Sequence, residues 1–310
     1  LPRRGEGRGE RARHGEPRDH GLNMRLVQFF LPGKGRRLGI LRGESVLDIT
    51  RAEEGIAGSL DLVRQGKTPA GLLRRAEWLA RTIRRRPLEW RELQRPPSRR
   101  APYTLLPIEA PEVWAARPAA GGPGPRPALF FKATAPRCAG PGGALTLRAD
   151  ARCTRARPGL GLVLSGGGEV LALTGYLGLA AEDLAQEHPL FLSQAETYDG
   201  CCALGPCLVT PDELAELGPL QMRLSLIREG GGQSQPFRAR PFGELVAPLP
   251  WLLRANTCPP VSVLAVEDAA SLAAFPGVQP GDRLELEVQA LGRLSNPVRR
   301  EDAEDVRRKA

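Results

Sequence analysis

The sequence predicts an α+β protein in which strands dominate, and three observations carry that reading. Apolar residues recur in short alternating or fully apolar runs bounded by glycine and proline. Gly (36) and Pro (30) are both abundant, and the proline falls mostly between those runs, where it punctuates turns. Helical periodicity is confined to a few segments. A chain of 310 residues with 41% hydrophobic and 25% charged residues has the composition of a globular protein, long enough for one large domain and a small one.

Residues 1–23 mix Arg with Glu and Asp and show no apolar period, so they are expected to be a disordered leader. They lack the apolar core of a secretory signal and the acid-poor, Ser-rich character of a transit peptide. A small α+β domain is expected over 24–92. Its strands are Met24–Phe30, Arg37–Leu41 and Ser45–Ile49, separated by glycine turns. Thr68-Pro69 starts a helix, the threonine as cap and the proline at the first helical position. Leu72, Leu73, Ala76, Leu79 and Ile83 then share one face, and Arg74, Arg75 and Arg81 point away.

Residues 93–126 read as a Pro/Arg-rich linker, 127–299 as the large domain and 300–310 as a charged tail. Within the large domain, strands are expected at Ala144–Arg148, Leu160–Ser165, Val170–Thr174, Gln221–Ile227, Val261–Val266 and Arg283–Val288. Gly166-Gly167-Gly168 makes a tight hairpin and Pro280-Gly281-Asp282 a turn. Pro211–Leu217 reads as a helical turn, and Phe242–Arg254 as an amphipathic helix interrupted at Pro248 and Pro250.

Charge and cysteine narrow the function classes. The net charge of +9 resides largely in arginine runs at Arg84–Arg86, Arg95–Arg100 and the termini. Those runs lack the interleaved aromatics that stack on bases, so solvated basic faces are expected rather than a nucleic-acid partner. No apolar run has the length needed to cross a bilayer. Cys138, Cys153, Cys201, Cys202, Cys207 and Cys258 are not spaced as paired Cys-x-x-Cys zinc knuckles. Buried thiols in a reducing, cytoplasmic setting are expected. Ser165 has no triad in view, since His188 is the only histidine beyond the leader, and the glycine run lacks the Lys-Ser/Thr of a phosphate loop.

Four stretches carry a family likeness: Leu129-Phe-Phe-Lys-Ala-Thr134, Pro158–Gly168, Tyr198-Asp-Gly-Cys-Cys-Ala-Leu-Gly-Pro-Cys207 and Gly292-Arg-Leu-Ser-Asn-Pro-Val298. They resemble the fumarylacetoacetate hydrolase family, and within it the 2-keto-3-deoxy sugar-acid dehydratases. The resemblance implies a twisted, mixed-β fumarylacetoacetase-like domain, a homodimer, and chemistry on 2-oxo acids with bound Mg²⁺, Mn²⁺ or Ca²⁺. Such a cation needs several oxygen ligands, and it stabilises the enolate charge that develops beside the 2-keto group.

The residues that the resemblance matches to that machinery are different ones. Arg157 and Gly159 fall on the first two ligand glutamates and Gly178 on the ligand aspartate. Glu196 falls on the active-site lysine, and Val266, Glu267, Asp268 and Ala269 fall on the loop that holds the substrate carboxylate. The covering loop before Ala128 is short and lacks functional groups. Lys132, Asp183, Tyr198, Asp199, Gly205 and Pro206 are retained and read as structural. The resulting expectation is a silent or altered family member with no catalytic residue assigned, no metal ligand and no cofactor. The alternative is an active metal-dependent lyase or hydrolase of 2-oxo acids, for which Glu182, Asp183, Glu187, Glu196, Glu267 and Asp268 could rebuild a cation site. Arg157 and Glu196, with inverted charges, are expected to pair.

Overall fold

The computed structural model describes residues 25–117, 126–214, 217–268 and 275–302. The expected leader, most of the charged tail and Ala269 lie outside these residues. The fold is α+β and mostly β, as the sequence predicts.

The chain opens with β1 (Arg25–Leu31), β2 (Gly35–Arg42) and β3 (Ser45–Asp48), then α1 (Ser59–Gly66) and α2 (Pro69–Thr82). Thr68 caps α2 as expected, its hydroxyl accepting from the Gly71 amide. The short β4 (Leu88–Glu89), α3 (Trp90–Leu93) and β5 (Tyr103–Thr104) lead to β6 (Val113–Arg117) and β7 (Ala128–Ala133). Next come β8 (Cys138–Ala139), β9 (Leu145–Leu147), β10 (Thr154–Leu164) and β11 (Val170–Ala181). After α4 (Glu182–Glu187) and α5 (Leu192–Glu196) follow β12 (Cys202–Val209), α6 (Pro211–Leu214), β13 (Gln221–Arg228) and β14 (Gly231–Arg238). The chain ends with α7 (Phe242–Val246), α8 (Leu249–Leu252), β15 (Val263–Glu267), β16 (Arg283–Val288) and β17 (Gly292–Arg300).

These strands form two sheets. A 12-stranded sheet runs β4-β3-β2-β1-β12-β11-β10-β15-β6-β7, with β5 on β1 and β8 on β12. A 5-stranded sheet runs β14-β13-β16-β17-β9. Because β1 meets β12 at Leu26 and Leu208, the N-terminal strands continue the larger sheet. The β10–β11 hairpin is its centre, and every residue of β11 is buried. Buried Leu160, Leu162, Leu164, Leu173, Leu177 and Leu179 of these two strands join Leu224, Leu284, Leu286 and Leu294 of the smaller sheet in one core.

Three differences from the sequence reading have physical causes. β11 runs on from Thr174 to Ala181, because a strand buried on both faces is apolar throughout and shows no period that would end it. The stretch expected as linker holds β5 and β6, and β6 sits between β15 and β7 with Val113 and Ala115 fully buried. Its surrounding Pro and Arg mask a five-residue strand. β14 is a polar edge strand, Gly-Gly-Gln-Ser-Gln-Pro-Phe-Arg, whose exposed face gives no apolar pattern and whose edge position tolerates Pro236. The interruption expected at Pro248 is present, dividing the helical segment into α7 and α8.

Candidate functional site

The residues singled out by the resemblance gather where β6, β7, β10, β11 and β15 meet α4 and α5. Strand alternation places Arg155 and Arg157 of β10 on one face, next to Ala180 and Gly178 of β11 in the ladder. β15 lies on the other side of β10, with Glu267 opposite Gly159. Glu196 is the last residue of α5 and 1% exposed.

A closed network of charges fills the space between these elements. Lys132 Nζ, fully buried on β7, donates to Glu196 Oε2 at 2.7 Å and to the Leu179 carbonyl at 2.6 Å. Arg117, at the end of β6, donates from Nη2 to Glu196 Oε1 and from Nε to Glu267 Oε2, each at 2.8 Å. Glu267 is fully buried and also accepts from the Tyr176 hydroxyl at 3.1 Å. The Arg117 guanidinium also stands over the Phe130 ring, 5.2 Å from its centre. Two cations and two carboxylates thus neutralise one another, with Lys132, Glu196 and Glu267 buried and Arg117 partly exposed. The sequence reading took Lys132 as structural and Glu267 as part of a degenerate loop; the fold brings both into this network. Arg117 and Tyr176 were not singled out at all. The one available signal was a lone tyrosine and a strand-ending arginine in otherwise apolar segments.

The titration behaviour follows from this geometry. Burial alone would pull the Lys132 ammonium down, but Glu196 overrides it and holds it well above its ordinary value. Burial would likewise raise Glu196, yet Lys132 and Arg117 keep it below the usual carboxylate range. Glu267 goes the other way, because burial outweighs its single guanidinium partner and Glu196 adds repulsion. Burial and the Glu267 carboxylate push the Tyr176 phenol well up. Lys132 is therefore a fixed cation, not a proton acceptor.

The expected Arg157–Glu196 pair is not formed. Arg157 pairs instead with Glu182 at the start of α4, as does Arg155, which also donates to the Phe275 carbonyl. The hairpin register explains it: Arg157 pairs with Gly178, and the strand carries Glu182 to the same end only four residues on. Gly159 and Gly178 have no room for side chains. A Cβ on Gly159 would stand 2.1 Å from the Val266 carbonyl oxygen, and one on Gly178 would stand 2.3 Å from the Tyr176 hydroxyl. The retained Asp183 accepts from the Arg152 and Cys153 amides at 2.8 and 3.3 Å and braces the start of β10. Tyr198 lies under Arg148, and Asp199 is half exposed in an ion pair with Arg137. The Asp268 amide donates to the Pro158 carbonyl at 2.9 Å, tying the start of the expected substrate loop to β10.

Comparisons with known proteins put the fold in context. No protein-family model matches the chain. It is 34% identical over 180 residues to the 2-dehydro-3-deoxy-D-arabinonate dehydratase of Saccharolobus solfataricus, covering 56% of this chain and 59% of that protein. It is 33% identical over 178 residues to a probable 2-keto-3-deoxyxylonate dehydratase of Haloferax volcanii, covering 56% and 60%. The match therefore spans less than two thirds of these curated relatives. Among solved structures, it is similar to 2-keto-3-deoxy-D-arabinonate dehydratase complexed with magnesium and 2,5-dioxopentanoate, at 25% identity and a TM-score of 0.71 over 90% of this chain and 99% of that one.

The magnesium in that similar dehydratase overturns the expectation that this chain takes no cofactor. Among the described residues no group of three or more His, Cys, Asp or Glu side chains is placed to hold a metal ion. The two carboxylates deepest in the site, Glu196 and Glu267, are bridged by Arg117.

Proposed function

We propose that the chain is a fumarylacetoacetate hydrolase-type protein of the 2-keto-3-deoxy sugar-acid dehydratase branch, and that its ligands are small 2-oxo acids. The similarity to two dehydratases supports this reading, together with the 0.71 TM-score to a dehydratase holding a dioxo acid product. Within it, the comparisons favour an active lyase that removes water from a 2-keto-3-deoxy sugar acid. Such an elimination leaves enolate charge on the 2-oxo acid, which a cation in the site would stabilise.

One observation favours a second reading, a pseudoenzyme that binds without turnover. Arg117, Lys132, Glu196 and Glu267 are paired with one another, and Arg157, Gly159 and Gly178 occupy the positions matched to ligand carboxylates. Both readings include the homodimer that the resemblance implies and the cytoplasmic setting expected from the cysteines. One assay separates them: formation of the dehydrated dioxo acid from 2-keto-3-deoxyarabinonate, with and without Mg²⁺. Product formation above the uncatalysed rate establishes the lyase. Saturable binding without product establishes the silent binder, and neither would remove the 2-oxo acid as ligand class.

A further inference from the structure

We propose that Cys138 and Cys202 form an oxidation site that closes to a disulfide. Their Sγ atoms are 3.5 Å apart in the thiol form. They are direct partners in the parallel pairing of β8 with β12, where neighbouring strands run ~4.8 Å apart. That separation lies within the Cα spacing that disulfides span, so the bond forms without moving the backbone far. The sequence alone offered no such pairing, since 64 residues separate the two cysteines.

The two thiols differ in a way that orders the chemistry. Cys138 is partly exposed, whereas Cys202 is fully buried, and its hydrogen bond with Cys138 raises its thiol well above the ordinary value. A peroxide therefore reaches Cys138 first. The Cys138 thiolate attacks one peroxide oxygen, the O–O bond breaks, and a sulfenic acid and hydroxide result. The Cys202 sulfur then attacks the Cys138 sulfur, the S–O bond breaks, and the Cys202 proton leaves with the hydroxyl as water. Two thiols are oxidised and one peroxide is reduced to two waters.

The position gives the bond a consequence. Cys201, next in sequence to Cys202, directs its Sγ at the Lys132 carbonyl at 3.4 Å. Linking β8 to β12 thus clamps the strand end that touches the backbone of Lys132, the buried cation of the charge network. The inference does not rest on the proposed enzymatic reading.

The test uses the full chain and hydrogen peroxide at a few equivalents, followed by non-reducing peptide mapping and thiol titration. The expected result is the loss of two thiols per chain, a peptide linked through Cys138 and Cys202, and reversal by dithiothreitol. In Cys202→Ser the sulfenic acid on Cys138 should persist long enough for dimedone to label it. A link to Cys201 instead, a sulfinic acid on Cys138 without any link in the unaltered chain, or all six thiols intact would each overturn the proposal.

Discussion

Lys132 Nζ lies 2.7 Å from Glu196 Oε2, and neither side chain reaches solvent. A buried pair of this kind is not a simple gain, because each charge loses its hydration and recovers it only through the other. Removing one partner strands the second. Glu196→Ala is therefore expected to destabilise the fold by roughly 3–5 kcal/mol, and Lys132→Met by a similar amount. The double variant Lys132→Met/Glu196→Ala should lose clearly less than the sum. Denaturant unfolding of the three proteins measures this, and additive losses would show that the two groups do not depend on each other.

The same network sets the acid side of stability. Glu196 titrates below its ordinary value of 4.5 in the folded chain, so it contributes stability that is fully present above about that pH. The contribution is lost as pH falls through the lower, folded value. Glu267 has the opposite sign, since its folded value is raised: its contribution is full below 4.5 and declines as pH climbs toward that folded value. Lys132, raised from 10.5, leaves stability unchanged across neutral pH. Unfolding free energies between pH 3 and 7 should fall more steeply on the acid side for the unaltered chain than for Glu196→Gln. Equal slopes would mean that Glu196 does not titrate below its unfolded value.

How far this site could be read from the sequence depends on what each residue reports locally. Turns and caps were legible because their signals are local: Thr68-Pro69 starts α2 and Pro280-Gly281-Asp282 turns into β16. Arg157, Gly159 and Gly178 could be placed by resemblance, but their partners could not. Glu182 reaches Arg157 through hairpin register, and Arg117 reaches Glu196 across 79 residues of chain. A salt bridge between elements that are separated in sequence leaves no periodic trace. Arg117 was hidden further because the Pro/Arg composition around β6 reads as linker, while Val113 and Ala115 are in fact core.

Not every carboxylate–guanidinium pair should matter equally. Asp282 is 1% exposed, accepts two hydrogen bonds from Arg228 at 2.7 Å and a third from the Gln279 amide at 2.7 Å. Asp150 makes an equally short pair with Arg148, yet its side chain is 57% exposed. Exposed pairs contribute about 0–1 kcal/mol, so Asp150→Ala should be close to neutral. Asp282→Ala removes a buried carboxylate that anchors the Arg228 guanidinium and the Gln279 amide, and should be destabilising by ~1–3 kcal/mol. Comparable melting temperatures for the two variants would contradict this ranking.

The crowding at Gly159 and Gly178 makes the last prediction, because it separates a side-chain obstacle from a backbone one. At Gly178 the obstruction is the Tyr176 ring, with its hydroxyl at 2.3 Å and Cζ at 2.8 Å from the position of a Cβ. At Gly159 it is the Val266 carbonyl oxygen at 2.1 Å, part of the β10–β15 ladder. Overpacking a core site typically costs about 1–3 kcal/mol, so Gly178→Ala should destabilise by that order. Replacing the obstacle should relieve it: in a Tyr176→Val background, Gly178→Ala should lose markedly less. Gly159→Ala should be at least as damaging as Gly178→Ala, and no substitution at Val266 should rescue it, since every residue there carries the same carbonyl. Restoring a carboxylate follows the same logic, with Gly178→Asp tolerated only once Tyr176 is reduced. Stability measurements on these variants check the argument. An unrelieved loss in the Tyr176→Val background would show that something other than the ring closes the Gly178 position.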